Sequence, residues 1–286
     1  MKQMFPRTLV GGVSLPRMII GSNWMLGYSH TGEAADELIL SRNGNEAAIA
    51  EIVGTYLQYG IDAIMAPKFD SDSAIEKGIR IAEEQYNKKV IRIATPIIQM
   101  EDTKEARREA EKQIAKCKSD GAAFCLIHHA SCERLINRMN QTIDRLPDYL
   151  DMIRTQGMIP GLSAHMPEVI LYSDKNNYDV ETYIQIYNCL GFLMQVEIEN
   201  VNSIIHDAKK PVMTIKSMAA GRCTPFVGLS FSYGTIRDCD MVTVGAFTPS
   251  EVEEDVEIAM ATIEHRRPML GRRNSPAMTD LLVARR

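Results

Sequence analysis

The stretch Ala122-Ala-Phe-Cys-Leu-Ile-His-His129 decides the fold of this chain. Its continuous run of apolar residues predicts a short β-strand that is buried on both faces, as in a parallel sheet. The run ends abruptly in two histidines, and it is the fourth in a series of units in which a strand precedes a helix. We interpret His128 and His129 as markers of a functional site at the end of this strand.

The alternation of strand and helix extends over most of the sequence. Apolar runs predict strands at residues 17–23, 61–66, 90–95, 122–129, 158–163, 181–188, 212–216 and 240–245. Helical patterns fall at 47–59, after Ser73, and at 102–119, 146–155, 197–208 and 249–265, and a long polar loop runs from the first strand to Gly44. This order predicts an α/β fold, a (β/α)8 TIM barrel. We expect one domain over residues 1–286, with the barrel at about 15–265 and an irregular C-terminal extension at 266–286.

Charge and cysteine content exclude several classes of function. The net charge is -5 without a sustained basic stripe, so we expect no nucleic-acid partner. No apolar run approaches the roughly 20 residues of a membrane span, and a signal peptide is not evident. The six cysteines show no CxxC spacing, which argues against a disulfide scaffold or a zinc knuckle. We predict a cytoplasmic protein with a small-molecule substrate and no membrane partner, and a homo-oligomer stays open.

Short motifs at the strand ends carry a resemblance to a known family. They are Ile20-Gly-Ser-Asn-Trp24, Leu126-Ile-His128, Gly161-Leu-Ser163, Ile184-Gln-Ile-Tyr-Asn188, Lys216-Ser-Met-Ala-Ala-Gly-Arg222 and Val244-Gly-Ala-Phe-Thr-Pro249. Their order and spacing over roughly residues 15–263 resemble the aldo-keto reductases. The resemblance implies the barrel of that family.

The catalytic residues of that family are mostly replaced. A member would carry Asp, Tyr, Lys and His at four strand or loop ends, with the tyrosine donating a proton during hydride transfer. In this sequence Met65, Phe69 and Pro96 stand at the first three positions, and only His128 remains. Phenylalanine has no acidic proton to donate, and neither methionine nor proline carries a charge that would shift the pKa of a phenol. The resemblance is therefore to a divergent member that lacks most of the tetrad.

The cofactor positions depart in the same way. Ala164 stands where an asparagine would hold the nicotinamide amide, Ile215 replaces the aromatic platform, and Glu251 replaces the arginine of the last helix. A carboxylate at that place repels a 2′-phosphate. We do not expect NADP to bind, whereas NAD stays open.

Four histidines fall in or just before the connections after strands one, four and five, which share one rim of a barrel. With Asp70, these side chains offer a mixed nitrogen and oxygen set for a divalent metal such as zinc or manganese. The alternative is a group of hydrogen-bonded histidines that line an apolar pocket. The proposed metal ligands are His30, His128, His129 and His165.

Other residues at the same rim suit substrate or phosphate binding. Lys216 ends strand seven, where burial lowers the pKa of a lysine and fits it for proton transfer, Schiff-base chemistry or a carboxylate contact. Gly245 and Ala246 precede a helix whose free N–H groups suit a cofactor phosphate. Polar or aromatic contacts to a polyhydroxylated substrate are expected from Asn23, Trp24, Gln99, Ser163 and Asn188.

Our leading hypothesis is a non-redox enzyme, a lyase or isomerase, that acts on a small carbonyl or sugar-like substrate. His128 would be the general acid/base, helped by His165 and Asp70, and Lys216 would stabilise an oxyanion or bind a carboxylate. A divalent metal held by the histidines is a variant of this mechanism. The alternatives are a divergent NAD-dependent oxidoreductase and a non-catalytic ligand-binding barrel.

Overall fold

The computed structural model describes residues 2–271, so the predicted extension at 266–286 lies mostly outside the described residues. The strands, in chain order, are β1 Arg7–Val10, β2 Val13–Pro16, β3 Met18–Gly21, β4 Ala63–Ala66, β5 Ile91–Ala94, β6 Ala122–Ile127, β7 Ile136–Asn137, β8 Thr142–Ile143, β9 Ile159–Ala164, β10 Thr182–Ile186, β11 Val212–Ile215 and β12 Met241–Val244.

The helices are α1 Asn23–Leu26, α2 Glu33–Asn43, α3 Glu46–Gln58, α4 Ala74–Tyr86, α5 Lys104–Ser119, α6 His129–Cys132, α7 Leu146–Thr155, α8 Glu168–Asn176, α9 Ile198–Asp207, α10 Pro225–Thr235 and α11 Pro249–Ile263. Across residues 2–271, none of the helices combines the length and hydropathy needed to cross a lipid bilayer.

Eight parallel strands close a barrel in the order β3-β4-β5-β6-β9-β10-β11-β12, which confirms the predicted TIM barrel. Each barrel strand lies inside its predicted range or within one residue of it. In β6, Phe124 and Leu126 belong to the core inside the barrel, whereas Cys125 and Ile127 belong to the core between strands and helices. Because both faces of the strand are buried, its sequence is apolar without interruption.

An N-terminal hairpin, β1 and β2, is absent from the sequence-based prediction. Its turn is Gly11-Gly12, with φ of 54° and 81°, a conformation that favours glycine. Val10 and Leu15 from the hairpin pack with the core inside the barrel. The hairpin therefore covers the end of the barrel where the strands begin, and the glycine pair between apolar residues is the signal that predicts it.

The predicted loop through Gly44 was wrong in part, because it contains helix α2. Only Ile39 and Asn43 of this helix are buried, so its sequence shows no apolar stripe. Side-chain hydrogen bonds hold it instead. Asp36 accepts from the backbone N–H of Ser29 at 2.8 Å, and the Asn43 amide donates to the carbonyls of Trp24 and Phe247 at 2.9 and 3.1 Å.

Candidate active site

A cavity of about 1080 Å³ opens at the carboxyl ends of the barrel strands. Every barrel strand contributes to its wall, as the shared face of a (β/α)8 barrel requires. The contributing residues on or just after the strands are Gly21, Met65, Thr95, His128, Ser163, Ile184, Lys216 and Gly245. The position and size of this cavity make it the candidate active site.

One wall carries a histidine cluster, formed by His128, His129, His165 and Glu133. The ring centroids of His128 and His129 are 4.2 Å apart, and those of His129 and His165 are 3.6 Å apart with planes at 20°. His129 Nδ1 lies 3.8 Å from a carboxylate oxygen of Glu133. His128 Nδ1 accepts from the backbone N–H of Ala130 at 3.2 Å, so Nε2 carries the proton of the neutral ring.

Burial keeps two of these imidazoles uncharged. Desolvation, and then the neighbouring His129, lower the pKa of His128 to about 4, and the same two causes lower the pKa of His165 to about 4. Both rings are therefore neutral near pH 7. A group of this pKa is a weak general acid or base at neutral pH, but a neutral imidazole still donates a hydrogen bond.

The four histidines predicted as metal ligands do not converge. His129 and His165 stack, with their ring planes at 20°. His30 contacts Lys216. Within residues 2–271, no group of three or more His, Cys, Asp or Glu side chains has an arrangement that suits a metal ion. Tetrahedral zinc coordination would require these rings to rearrange.

On another part of the wall, Lys216 and His30 form a hydrogen-bonded pair, here called the lysine pair. Lys216 Nζ donates to His30 Nε2 at 2.9 Å, and His30 Nδ1 donates to the carbonyl of Tyr28 at 3.1 Å. No carboxylate of the described residues forms an ion pair with Lys216, and desolvation lowers the pKa of this lysine to about 8. Lys216 also has a left-handed backbone, with φ of 61°, a conformation that is concentrated at functional sites.

Arg222 is a second cation at the cavity that sequence reasoning missed. Its guanidinium lies over the ring of Phe192, 3.9 Å from the centroid, and Nη1 donates to the carbonyl of Ala219 at 3.2 Å. Glu133 was also missed, although its position four residues after His129 is the spacing of a helical contact. Arg222 ends the motif that begins at Lys216, but the sequence assigns it no role, because a loop brings it to the cavity.

The structure does not bring four of the predicted site residues to the cavity. The Asp70 carboxylate pairs with the ammonium groups of Lys68 and Lys116, each at 2.8 Å, outside the cavity. Gln99 is exposed on the outer surface, and Ala246 is buried. Asn188 is fully buried, and its side chain is used to hold the loop that follows it.

Asn23, Trp24, Ser163 and Gly245 do line the cavity, but Gly245 does not present open space for a phosphate. A Cβ added to Gly245 would lie 2.8 Å from Cδ1 of Trp24, so the indole packs directly on this glycine. The nearby N-terminus of α11 is also occupied, because Glu251 accepts from the backbone N–H of Phe247 at 2.7 Å. The predicted phosphate site at Gly245 and Ala246 is therefore filled by protein groups.

At the cofactor positions named in the sequence analysis, the side chains do not supply the contacts that the resemblance implies for a 2′-phosphorylated nicotinamide dinucleotide. Ala164 is fully buried and offers no amide, Ile215 is aliphatic, and the Glu251 carboxylate lines the cavity at the position of the expected arginine. Of the replaced catalytic positions, Met65 lines the cavity, whereas Phe69 is buried in the outer core. Neither the phenol nor the phosphate contact of a reductase is rebuilt by these residues.

Comparisons with known proteins agree on the fold. The chain matches no protein-family model and no curated protein. A structure from Pseudomonas aeruginosa named as an aldo-keto reductase matches with a TM-score of 0.61 at 15% identity over 92% of this chain and 98% of that one. An aldo-keto reductase from Bacillus halodurans gives 0.57 at 12% identity over 94% and 99%. The fold is that of an aldo-keto-reductase-like (β/α)8 barrel.

A different class of enzyme also shares this architecture. D-allulose 3-epimerase from Methylomonas sp., solved in complex with D-allulose, matches with a TM-score of 0.54 at 10% identity over 93% of this chain and 100% of that one. Identities this low establish only the fold. The function depends on the residues of the cavity and not on the fold alone.

Proposed function

We propose that this protein is a non-redox isomerase or lyase that moves a proton next to the carbonyl group of a small, sugar-like or acidic substrate. Lys216 is the proton-transfer group, and the observation that carries the proposal is its position in the cavity with a pKa of about 8 and no carboxylate partner among the described residues. A catalytic acid or base works best when its pKa lies near the operating pH.

Lys216 meets this requirement better than the histidines do. With a pKa of about 8, roughly one-tenth of the lysine is neutral at pH 7 and can accept a proton, and the rest can donate one. Its contact with the uncharged His30 does not fix an ammonium ion as a carboxylate would. Lys216 can therefore pass between both protonation states during turnover.

His128 has a complementary role in this proposal. His128 contacts Ala130 through Nδ1, so the Nε2–H on the other side of the ring suits a hydrogen bond to a carbonyl oxygen. A preorganised donor of this kind stabilises the negative charge that develops when a neighbouring carbon loses its proton. His165 supplies a second neutral imidazole, and Arg222 supplies a permanent positive charge for an acidic group of the substrate.

Proton exchange into a panel of candidate substrates tests this function. The protein is incubated in deuterium oxide with ketoses and 2-oxo acids, and deuterium at the carbon next to the carbonyl is measured by NMR. We expect incorporation into at least one compound with the wild-type protein and none with K216M or K216R. Incorporation that is equal in K216M and in the wild type would refute the role of Lys216.

Two experiments separate this proposal from its variants. Neutral Lys216 could also form a Schiff base, which adding cyanoborohydride to protein and substrate would trap as a mass increase on Lys216. A zinc- or manganese-assisted reaction predicts that dialysis against a chelator abolishes exchange. Our proposal predicts that exchange survives chelation, because proton transfer is assigned to Lys216.

An NAD-dependent oxidoreductase is the second candidate, favoured by the number of aldo-keto reductases among the similar structures. Trp24 is the only tryptophan and lines the cavity, so its fluorescence should report the binding of a nicotinamide cofactor. Saturable quenching by NADH, with reduction of a carbonyl compound, would favour this candidate. A non-catalytic barrel would bind a ligand from the panel without exchange or reduction.

A further inference from the structure

Two thiols from different segments meet at the mouth of the cavity. Cys189 follows strand β10, Cys223 follows strand β11, and their sulfur atoms are 3.9 Å apart. Both side chains are half-buried, and Cys223 lines the cavity. The strands β10 and β11 are neighbours in the barrel, so their following segments leave the sheet side by side. The two segments are called here the mouth segments, residues 187–192 and 216–223.

The two mouth segments also contact each other at a second point. Arg222 in one segment lies over the ring of Phe192 in the other at 3.9 Å. The buried Asn188 side chain donates to the carbonyl of Phe192 at 3.0 Å and accepts from its backbone N–H at 2.9 Å. The Arg222–Phe192 contact joins the two segments, and the Asn188 hydrogen bonds fix the turn that carries Cys189, so the two thiols stay close in the folded protein. A disulfide needs a sulfur separation of about 2.05 Å, so the pair must approach by about 2 Å.

The segment that carries Cys223 has an unusual backbone. Lys216, Ala219 and Ala220 all have left-handed φ angles, of 61°, 49° and 54°, before Gly221. Non-glycine residues in this conformation carry strain, so a rearrangement that returned them to ordinary φ angles would release part of its own cost. A covalent link at Cys223 would restrict the same segment that holds Lys216.

We propose that Cys189 and Cys223 form a reversible disulfide that joins the mouth segments and restricts access to Lys216. Hydrogen peroxide is a sufficient oxidant. It converts one thiol to a sulfenic acid with release of water, and the second thiol then attacks that sulfur and releases a second water. A small dithiol reverses the reaction by thiol–disulfide exchange. The two cysteines return to thiols, and the dithiol is oxidised to its own disulfide.

The other cysteines provide internal controls. Cys117 and Cys125 also contact each other, but Cys125 is fully buried and Cys117 nearly so. Cys132 is fully buried. Cys239 is half-buried like the proposed pair, but it precedes β12 at the opposite end of the barrel from the mouth. C239S is therefore the matched control for C189S.

Peptide mapping tests the covalent step. The folded protein is treated with peroxide, free thiols are alkylated, and the tryptic peptides are analysed by mass spectrometry without reduction. We expect one peptide pair joined through Cys189 and Cys223, lighter by two hydrogen atoms, in the wild type and C239S but not in C189S. Alkylation of both cysteines after peroxide, or a disulfide between two chains instead, would overturn the proposal.

Lysine labelling tests the consequence for access. Formaldehyde and cyanoborohydride methylate accessible amines, and the rate at Lys216 can be followed by peptide mass. We expect a several-fold slower rate in the oxidised wild type, recovery after dithiothreitol, and no response to peroxide in C189S. An unchanged rate in protein that contains the disulfide would overturn the effect on access. Neither measurement requires substrate, so both are independent of the proposed proton transfer.

Discussion

The histidines of the cluster and both residues of the lysine pair line the same cavity. Burial lowers pKa values in both places, but with opposite consequences for the charge at neutral pH. In the histidine cluster it moves the pKa of His128 and His165 from 6.5 to about 4, away from neutrality. In the lysine pair it moves the pKa of Lys216 from 10.5 to about 8, toward neutrality. The same physical cause therefore produces fixed hydrogen-bond donors in one place and a titrating group in the other.

The largest effect is expected from removing the titrating group. K216M should lower the exchange rate by about 10³-fold, within the usual contribution of general acid–base catalysis. K216R, which keeps the charge but does not titrate near neutral pH, should lose as much. Exchange rates of the two variants in deuterium oxide provide the measurement. Retention of activity in K216R would mean that Lys216 acts only through its charge.

Truncation of the hydrogen-bond donor should have a smaller effect. H128A should lower kcat by about 10²-fold, since one preorganised donor to a developing oxyanion is lost. H128Q is the matched variant, because its amide also donates a hydrogen bond, and it should retain most of the activity. Equal losses in H128A and H128Q would instead favour a proton-transfer role for His128.

The lysine pair also predicts a change in stability. Because the ammonium of Lys216 is held in a desolvated site, K216M should raise the free energy of unfolding at pH 7 by about 1–2 kcal/mol after allowance for partial exposure. The unfolded lysine binds more protons than the folded one between pH 8 and 10.5, so the wild type gains stability there as pH rises. The difference between the proteins should vanish above pH 10.5. Urea unfolding at several pH values measures it, and a constant difference would contradict the burial argument.

The histidine cluster predicts the smallest effect, at acidic pH. His128 and His165 have a lower pKa when folded than when unfolded, so the unfolded chain binds more protons between pH 6.5 and 4. As the pH is lowered from 6.5 to 4, the free energy of unfolding should fall by about 1 kcal/mol for each histidine. A double variant, H128Q with H165Q, should show a shallower acid dependence. An identical profile would mean that folding does not lower the pKa of these two rings.

The sequence predicted the barrel well because its signal is local. Apolar runs such as Ala122–Ile127 show directly that a strand is buried on both faces. Helix α2 was missed because side-chain hydrogen bonds from distant residues hold it, without an apolar stripe.

The site was predicted less completely, since its details depend on contacts between distant segments. The strand ends placed His128, His165 and Lys216 correctly at one cavity. Sequence spacing gave no indication that Lys116 and Lys68 hold Asp70 outside it, or that His129 and His165 stack. Arg222 and the proximity of Cys189 to Cys223 follow from how loops fold back over the barrel.

The pKa of Lys216 tests the central claim most directly. The Nζ resonance of protein labelled with 15N-lysine can be followed from pH 6 to 12 and assigned by its loss in K216R. We predict a midpoint of about 8, as expected for a lysine desolvated beside a neutral imidazole. A midpoint near the ordinary value of 10.5 would contradict the account, because Lys216 would then stay charged at neutral pH.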